Sequence, residues 1–213
     1  GDNQYSATIP AQADDAVVRY YIRATDDNDQ TSTDPAMAPS QAYLYIVGYT
    51  APEIYINEFM ASNTDTLEDP DEPDTFPDWI EIYNPSETAV DLNGYYLTDD
   101  LGDLTKSPIP ASVIVPANGF VLFYADGMPT QGAQHTSFGL DWELGEELAL
   151  VAPDGITIVD SHTFEPQTAD VSEGRLPDGG AMWVPFTVPT PGSSNALFPP
   201  EIRNTTFAPS QPD

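Results

Sequence analysis

The stretch DWIEIYNPSETAVDLNGYYLTDD, residues Asp78–Asp100, carries most of the information about the fold of this chain. Side chains of a strand alternate between its two faces, which places Ile80 and Ile82 together on the side that enters a core. The residues on the opposite side are Trp79, Glu81 and Tyr83. The dipeptides NP and NG that follow are turn signals. The stretch therefore predicts two short strands joined by tight turns.

Short β-prone segments of the same kind recur on both sides of this stretch, each bounded by turn residues. The predicted strands are Glu53–Met60, Asp78–Tyr83, Gly94–Thr98, Gly119–Tyr124, Glu147–Val151, Thr157–Thr163, Ser172–Leu176 and Met182–Phe186. No segment has a sustained helical period, and 22 prolines with 14 glycines interrupt any helix. The spacing is typical of an all-β sandwich with at most one short helical turn and with its acidic residues outside.

The flanks predict further modules. Val17–Thr25 and Ala42–Val47 are β-prone segments separated by the turn cluster Asp26–Asp29, and they predict an antiparallel pair. This part resembles the last strands of a fibronectin type III or related immunoglobulin-like module. The predicted domains are therefore 1–50, a partial module, 53–197, the β-sandwich, and 198–213, a proline-rich linker with the start of a following module. We expect the chain to be a segment of a longer protein.

Charge excludes several classes of partner. The chain has 35 acidic and 5 basic residues among 213, a formal net charge of −30. Nucleic acid and anionic membranes both require basic patches, so neither is an expected partner. No apolar run approaches the roughly 18 residues of a membrane span, so no membrane insertion is expected. The absence of cysteine excludes thiol catalysis and thiolate metal sites.

Residue types for catalysis are scarce. His135 and His162 are the only histidines, and no G-x-S-x-G elbow accompanies them. Lys106 is the sole lysine, and no phosphate-binding glycine loop surrounds it. The sequence therefore predicts no catalytic residues, no cofactor-binding residues and no enzyme.

An ordered series of motifs resembles the lamin tail domain family. The motifs are INEFMASN (Ile56–Asn63), the stretch Asp78–Asp100, VPANGFVLFYAD (Val115–Asp126), His135–Phe164, and Ser172–Asn195 with its terminal PTPGSSN. The resemblance implies an immunoglobulin-like β-sandwich. It also implies a non-catalytic structural, adhesion or spacer module of a larger secreted or cell-surface bacterial protein, with adjacent domains of the same polypeptide as partners.

The segment LEDPDEPDTFPD, residues 67–78, is a candidate metal site. The carboxylates in it that are predicted as ligands are Asp69, Asp71, Glu72, Asp74 and Asp78. Crowded carboxylates repel one another, and a Ca²⁺ ion with roughly six to eight oxygen ligands would relieve that repulsion. The segment also resembles the acidic insert of bacterial lamin-tail-like modules. The alternative is a solvated acidic loop.

Two smaller acidic clusters are predicted to be turn residues, and metal binding is the alternative for each. Their residues are Asp99, Asp100 and Asp103 in one, and Asp26, Asp27 and Asp29 in the other.

A second function class is a carbohydrate- or polymer-binding module, calcium-dependent or not, that contacts an extracellular polysaccharide or protein. Its aromatic platform would come from Tyr95, Tyr96, Phe138 and Trp142. The three tryptophans, Trp79, Trp142 and Trp183, are expected in the core or covering a sheet instead. A third reading is a docking domain for an adjacent hydrolase.

Overall fold

A computed structural model describes residues 7–14, 16–40, 42–48 and 50–195, and all regular structure in them is β. The strands are β1 Val17–Tyr20, β2 Ile22–Thr25, β3 Thr31–Asp34, β4 Tyr43–Ile46, β5 Tyr55–Met60, β6 Asp78–Asn84, β7 Val90–Asp91, β8 Tyr96–Thr98, β9 Ser107–Pro108, β10 Ile114–Val115, β11 Gly119–Ala125, β12 Glu147–Val151, β13 Ile158–Thr163, β14 Ser172–Arg175 and β15 Trp183–Phe186. No helix capable of crossing a bilayer occurs among these residues. The predicted module start at 198–213 lies outside the described residues.

Two larger antiparallel sheets and the short antiparallel pair of β7 and β10 form the central unit. One has the strand order β11-β6-β5-β14-β15, and the other has the order β13-β12-β8-β9. Each of the predicted strands between residues 53 and 186 is present, with bounds that agree within two residues. The predicted all-β, immunoglobulin-like sandwich is therefore confirmed.

The core lies between these sheets. The five-stranded sheet contributes fully buried side chains, among them Ile56, Phe59, Ile80, Ile82 and Phe123. The four-stranded sheet contributes Leu97, Leu148 and Leu150. Burial of one such side chain stabilises the fold by roughly 1.5–3 kcal/mol. The prediction that Ile80 and Ile82 enter the core is confirmed.

The outer face of β6 differs from the expectation. Trp79 and Glu81 have no solvent exposure, although alternation places them away from the core. Glu58, which pairs with Glu81 across β5 and β6, is also fully buried. The expectation that the acids lie outside is wrong for these two glutamates, because a segment near the end of the described chain covers this face.

A β-bulge in β5 changes which side chains reach that face. Ile56 pairs with Ile82 and Glu58 pairs with Glu81, so Asn57 is the extra residue on β5. A bulge leaves its extra residue outside the regular pairing and redirects its side chain. Asn57 therefore contacts the same outer surface as Glu58.

The first described residues form two separate strand pairs. β1 pairs with β4 in antiparallel register, which confirms the predicted pair for its first half, Val17–Tyr20. The second half of the predicted strand, Ile22–Thr25, is a separate strand that forms a hairpin with β3, so the prediction of one strand over Val17–Thr25 is wrong. The turn between β2 and β3 spans Asp26–Asp29, with Asp26 Oδ1 accepting hydrogen bonds from the amides of Asn28 and Gln30.

Candidate metal centre

The acidic loop, residues 67–78, leads from β5 into the start of β6 and is held by hydrogen bonds to its backbone carbonyls. The amide of Asp69 donates to the carbonyl of Thr75 over 2.9 Å. The side-chain amide of Asn63, just after β5, donates to the carbonyls of Leu67 and Pro77 at 2.7 Å each. These bonds fix both ends of the loop, so its carboxylates have defined positions.

Two of the five predicted ligands come together. Asp69 is buried, with 4% of its surface exposed, and its Oδ1 accepts a 2.8 Å hydrogen bond from the amide of Asp71. Asp71 is exposed. The Asx turn between them places both carboxylates on one side of the loop.

The other three predicted ligands lie elsewhere. Glu72 is exposed, and its Oε2 lies 3.5 Å from Gln131 Nε2. Asp74 is exposed with a φ of 65°. Asp78 accepts hydrogen bonds from the amides of Asn63 and Leu140, and burial raises its pKa to about 6. The carboxylate of Asp78 thus holds two backbone segments together.

A residue without a predicted role completes the group. His135 is 5% exposed, and its ring stacks on Tyr124 with centroids 5.2 Å apart. Its Nε2 lies 3.1 Å from Asp71 Oδ2, and its Nδ1 lies 2.5 Å from Asp126 Oδ2. Burial lowers the pKa of His135, but the hydrogen bonds with Asp126 and Asp71 outweigh it, and the net direction is upward.

We call Asp69, Asp71 and His135 the aspartate–histidine cluster. One ligand atom from each residue lies within 4.8 Å of the other two. His135 reaches this place because residues 126–134 return the chain alongside β11, where Tyr124 forms a parallel bridge with His135. No local pattern around His135 indicates that return, and this is why sequence reasoning missed the residue.

The cluster of Asp99, Asp100 and Asp103 is used in local contacts, as Asp26 is in the turn between β2 and β3. Asp99 forms an ion pair with Lys106, with 2.5 Å between Oδ1 and Nζ. Asp100 Oδ1 accepts a 2.7 Å hydrogen bond from the amide of Gly102, and Asp103 Oδ1 accepts one from the amide of Thr105. These contacts agree with the turn interpretation.

The second histidine has a packing role. His162 stacks on Trp183 with centroids 3.8 Å apart, and its Nε2 lies 2.9 Å from Glu173 Oε1. In both histidines, Nε2 thus lies within hydrogen-bond distance of a carboxylate oxygen. Neither has a serine or threonine hydroxyl among its hydrogen-bond partners in the described residues.

The aromatic platform considered for a carbohydrate-binding module is not assembled. Tyr95 and Phe138 are each 5% exposed and belong to the core. Trp142 is 44% exposed, so the expectation that it lies in the core or covers a sheet is wrong. Tyr96 is half-buried on β8. A flat sugar-stacking surface requires exposed rings, and two of the four proposed rings are inside.

A buried polar network covers the outer face of β5 and β6. Its members are Asn57, Glu58, Glu81, Thr190 and Asn195. The amide of Thr190 donates to Glu58, and the amide of Gly192 donates to Glu81 Oε2 over 2.6 Å. Asn195 Nδ2 donates to the carbonyls of Asn57 and Arg175. The exit segment, Thr190–Asn195, is therefore fastened directly to β5, the first strand of the sandwich.

Comparison with protein-family models gives one match. The model described as Lamin Tail Domain matches residues 48–166, more than half of the chain. No curated protein and no solved structure matches the chain. The matched range includes β5 to β13 and the whole aspartate–histidine cluster, while β14, β15 and the exit segment follow it.

Proposed function

Because this chain belongs to the lamin tail domain family, we propose that it is a non-catalytic structural module that spaces and holds neighbouring domains of a larger secreted or cell-surface bacterial protein. The family is an immunoglobulin-like, non-enzymatic one. The observation that supports this role best is the buried polar network between the first strand of the sandwich and the exit segment.

A spacer transmits force between its two neighbours through its first and last residues. In this chain, a pull on the residues before β5 and after Asn195 acts on the contacts that join β5 to the exit segment. These contacts include the Thr190 hydroxyl on Glu58 at 2.7 Å and the Asn195 amide on the Asn57 carbonyl at 3.1 Å. Hydrogen bonds in the protein interior are stronger than those exposed to water, because the surrounding dielectric constant is low. The network thus suits a module that must stay closed under load.

The strand pairs before residue 50 expose apolar side chains, and this exposure supports the proposal that adjacent domains are the partners. Apolar side chains there are exposed, including Val17 at 59%, Ile22 at 57% and Tyr21 at 41%. A two-stranded sheet of this size is marginally stable alone. We propose that these strands complete their packing with a neighbouring module of the same polypeptide.

Calcium is proposed as a stabilising ion of the acidic loop. The support is the pairing of Asp69 and Asp71 in one turn and the high density of carboxylates around them. Thermal melting with and without millimolar calcium tests this part. An increase of several degrees is expected, and an unchanged melting temperature contradicts it.

The spacer role is tested by pulling the chain from its two ends in a single-molecule force experiment. We expect one cooperative rupture for the sandwich that releases about 500 Å of extended chain between Tyr55 and Asn195. Gradual lengthening without a rupture would contradict the role. A glycan array with and without calcium provides the complementary test, because a spacer binds no glycan and a carbohydrate-binding module does.

A further inference from the structure

We propose that the aspartate–histidine cluster binds a divalent transition-metal ion of the zinc class, with Asp69, Asp71 and His135 as its protein ligands. This inference is independent of the spacer role. It shares Asp69 and Asp71 with the calcium site proposed for the acidic loop, adds His135 as a ligand and names a different metal class. Two carboxylate oxygens and one imidazole nitrogen are a donor set that zinc and manganese accept.

The distances suit such an ion. Ligand atoms on a tetrahedral zinc with bonds of about 2.1 Å lie about 3.4 Å apart. His135 Nε2 and Asp71 Oδ2 are already 3.1 Å apart, and all three ligand atoms lie within 4.8 Å of one another. Asp71 is exposed, with 56% of its side chain in solvent, so it can close the remaining gap without disturbing the core. The same exposure leaves a path for the ion to enter and a position for a water ligand.

The environment of His135 is what separates this cluster from an ordinary acidic patch. Its side chain is 98% buried, and its second nitrogen, Nδ1, contacts the carboxylate of Asp126. A carboxylate that accepts the Nδ1 proton fixes the ring orientation and leaves Nε2 as the ligand atom, which is the arrangement found behind metal-bound histidines. Asp126 is itself fixed, because its Oδ1 accepts a 2.8 Å hydrogen bond from the amide of Met128.

The imidazole of His135 favours zinc and manganese over calcium and magnesium. Calcium and magnesium take oxygen ligands, so a buried imidazole adds nothing to their binding. Zinc, manganese and related ions bind imidazole well. An ion at this place would join the acidic loop to the segment that follows β11, two parts of the chain that are more than sixty residues apart in sequence.

The test is calorimetric titration of the full, metal-stripped chain with zinc chloride, manganese chloride and calcium chloride in separate experiments. We expect one zinc ion per chain, bound more tightly than calcium, and an increase in the melting temperature. Asp71→Asn removes an exposed ligand and should lower the zinc affinity about tenfold or more. Glu72→Gln is the matched control, because it removes one charge from the same loop and no ligand; its zinc affinity should equal that of the wild type.

The two histidines allow a direct spectroscopic check. In nitrogen-resolved NMR spectra of the imidazole rings, zinc should shift the signals of His135 and leave those of His162 unchanged. Asp126→Asn provides a second variant, with about tenfold or greater weakening expected from the loss of ring orientation. Equal weak binding by the wild type, Asp71→Asn and Glu72→Gln would overturn the proposal, because it would show only attraction to a polyanion. Tighter binding of calcium than zinc, or unshifted His135 signals, would overturn it as well.

Discussion

The side-chain amide of Asn57 donates a 3.0 Å hydrogen bond to the carboxylate of Glu81, and neither residue has any solvent exposure. Asn57 occupies the bulge of β5, and its Oδ1 also accepts a 3.0 Å hydrogen bond from the amide of Gly179. The bulge thus turns a strand residue into a connection between the sheet and the segments that cover it. This connection holds β5, the first strand of the sandwich, against the segments near its end.

The Thr190 hydroxyl is central to this connection. It donates a 2.7 Å hydrogen bond to Glu58 Oε2, and its oxygen lies 2.9 Å from Asn195 Oδ1. Burial raises the pKa of Glu58, while the hydrogen bonds from Ser172 and Thr190 act in the opposite direction. Thr190→Val should reduce the free energy of unfolding by roughly 1–3 kcal/mol, because it leaves buried polar atoms without partners. Urea unfolding measures the loss.

Thr168→Val is the control for this variant. Thr168 is exposed, so its replacement should change the free energy of unfolding by less than about 0.5 kcal/mol. Equal effects of the two substitutions would show that the Thr190 hydroxyl has no special role.

Gly174 on β14 gives a steric test of the same contact. A Cβ atom at this position would lie 2.7 Å from Asn195 Nδ2 and 3.1 Å from the Asn57 carbonyl oxygen. Gly174→Ala should therefore displace the Asn195 side chain and destabilise the protein by roughly 1–3 kcal/mol. Gly132→Ala is the control, because its Cβ would meet the nearest atom at an ordinary 3.6 Å. Thermal melting that does not distinguish the two variants would contradict the packing described here.

The buried glutamates predict that stability falls as pH rises. Burial raises the pKa of Glu81 to about 8, while hydrogen bonds from Asn57 and Gly192 act in the opposite direction. The folded protein therefore binds this proton more tightly than the unfolded chain does. The resulting stabilisation is fully present below about pH 4.5 and decreases as the pH rises to about 8. The expected loss across this window is roughly 3–5 kcal/mol.

Urea unfolding at several pH values measures this slope. Repulsion among the excess acidic residues acts in the same direction, so the wild type alone does not isolate Glu81. Glu81→Gln has no proton to lose and should have a shallower slope than the wild type. Identical slopes would show that Glu81 ionises as freely in the folded protein as in the unfolded chain.

Arg175 connects the two sheets. Its Nη2 lies 2.9 and 3.0 Å from the two carboxylate oxygens of Asp160 on β13, and its Nε donates to the Ile56 carbonyl on β5. Arg175→Met should destabilise the protein by roughly 2–4 kcal/mol, because Asp160, whose side chain is only 13% exposed, then loses its cation. Arg23→Met, at an exposed position on β2, should have little effect. A small loss for Arg175→Met in urea unfolding would contradict this role.

The sequence predicts the sandwich well because the fold depends on local patterns. The alternation around Ile80 and Ile82 and the turns that bound each strand are visible over a few residues, and the strand bounds follow from them. Burial of Glu81 is not predictable in this way. It depends on the bulge at Asn57 and on a covering segment more than one hundred residues later in the chain.

The candidate metal site is also only partly predictable from local sequence patterns. The acidic loop is visible as a run of carboxylates, and the pair Asp69 and Asp71 is within it. The contribution of His135 depends on the path of residues 126–134, which no local pattern specifies. Composition therefore suggests an oxygen-only calcium site, while the three-dimensional arrangement adds an imidazole and favours a different metal class.

Amide hydrogen exchange at Gly192 tests most directly whether the exit segment is fastened to the sandwich. Gly192 lies in an exposed turn, yet its amide donates a 2.6 Å hydrogen bond to the buried Glu81. We predict that this amide exchanges as slowly as the amides of β6, since it opens only when the sandwich does. Exchange as fast as that of Asn28, whose amide lies in the exposed turn between β2 and β3, would contradict the account.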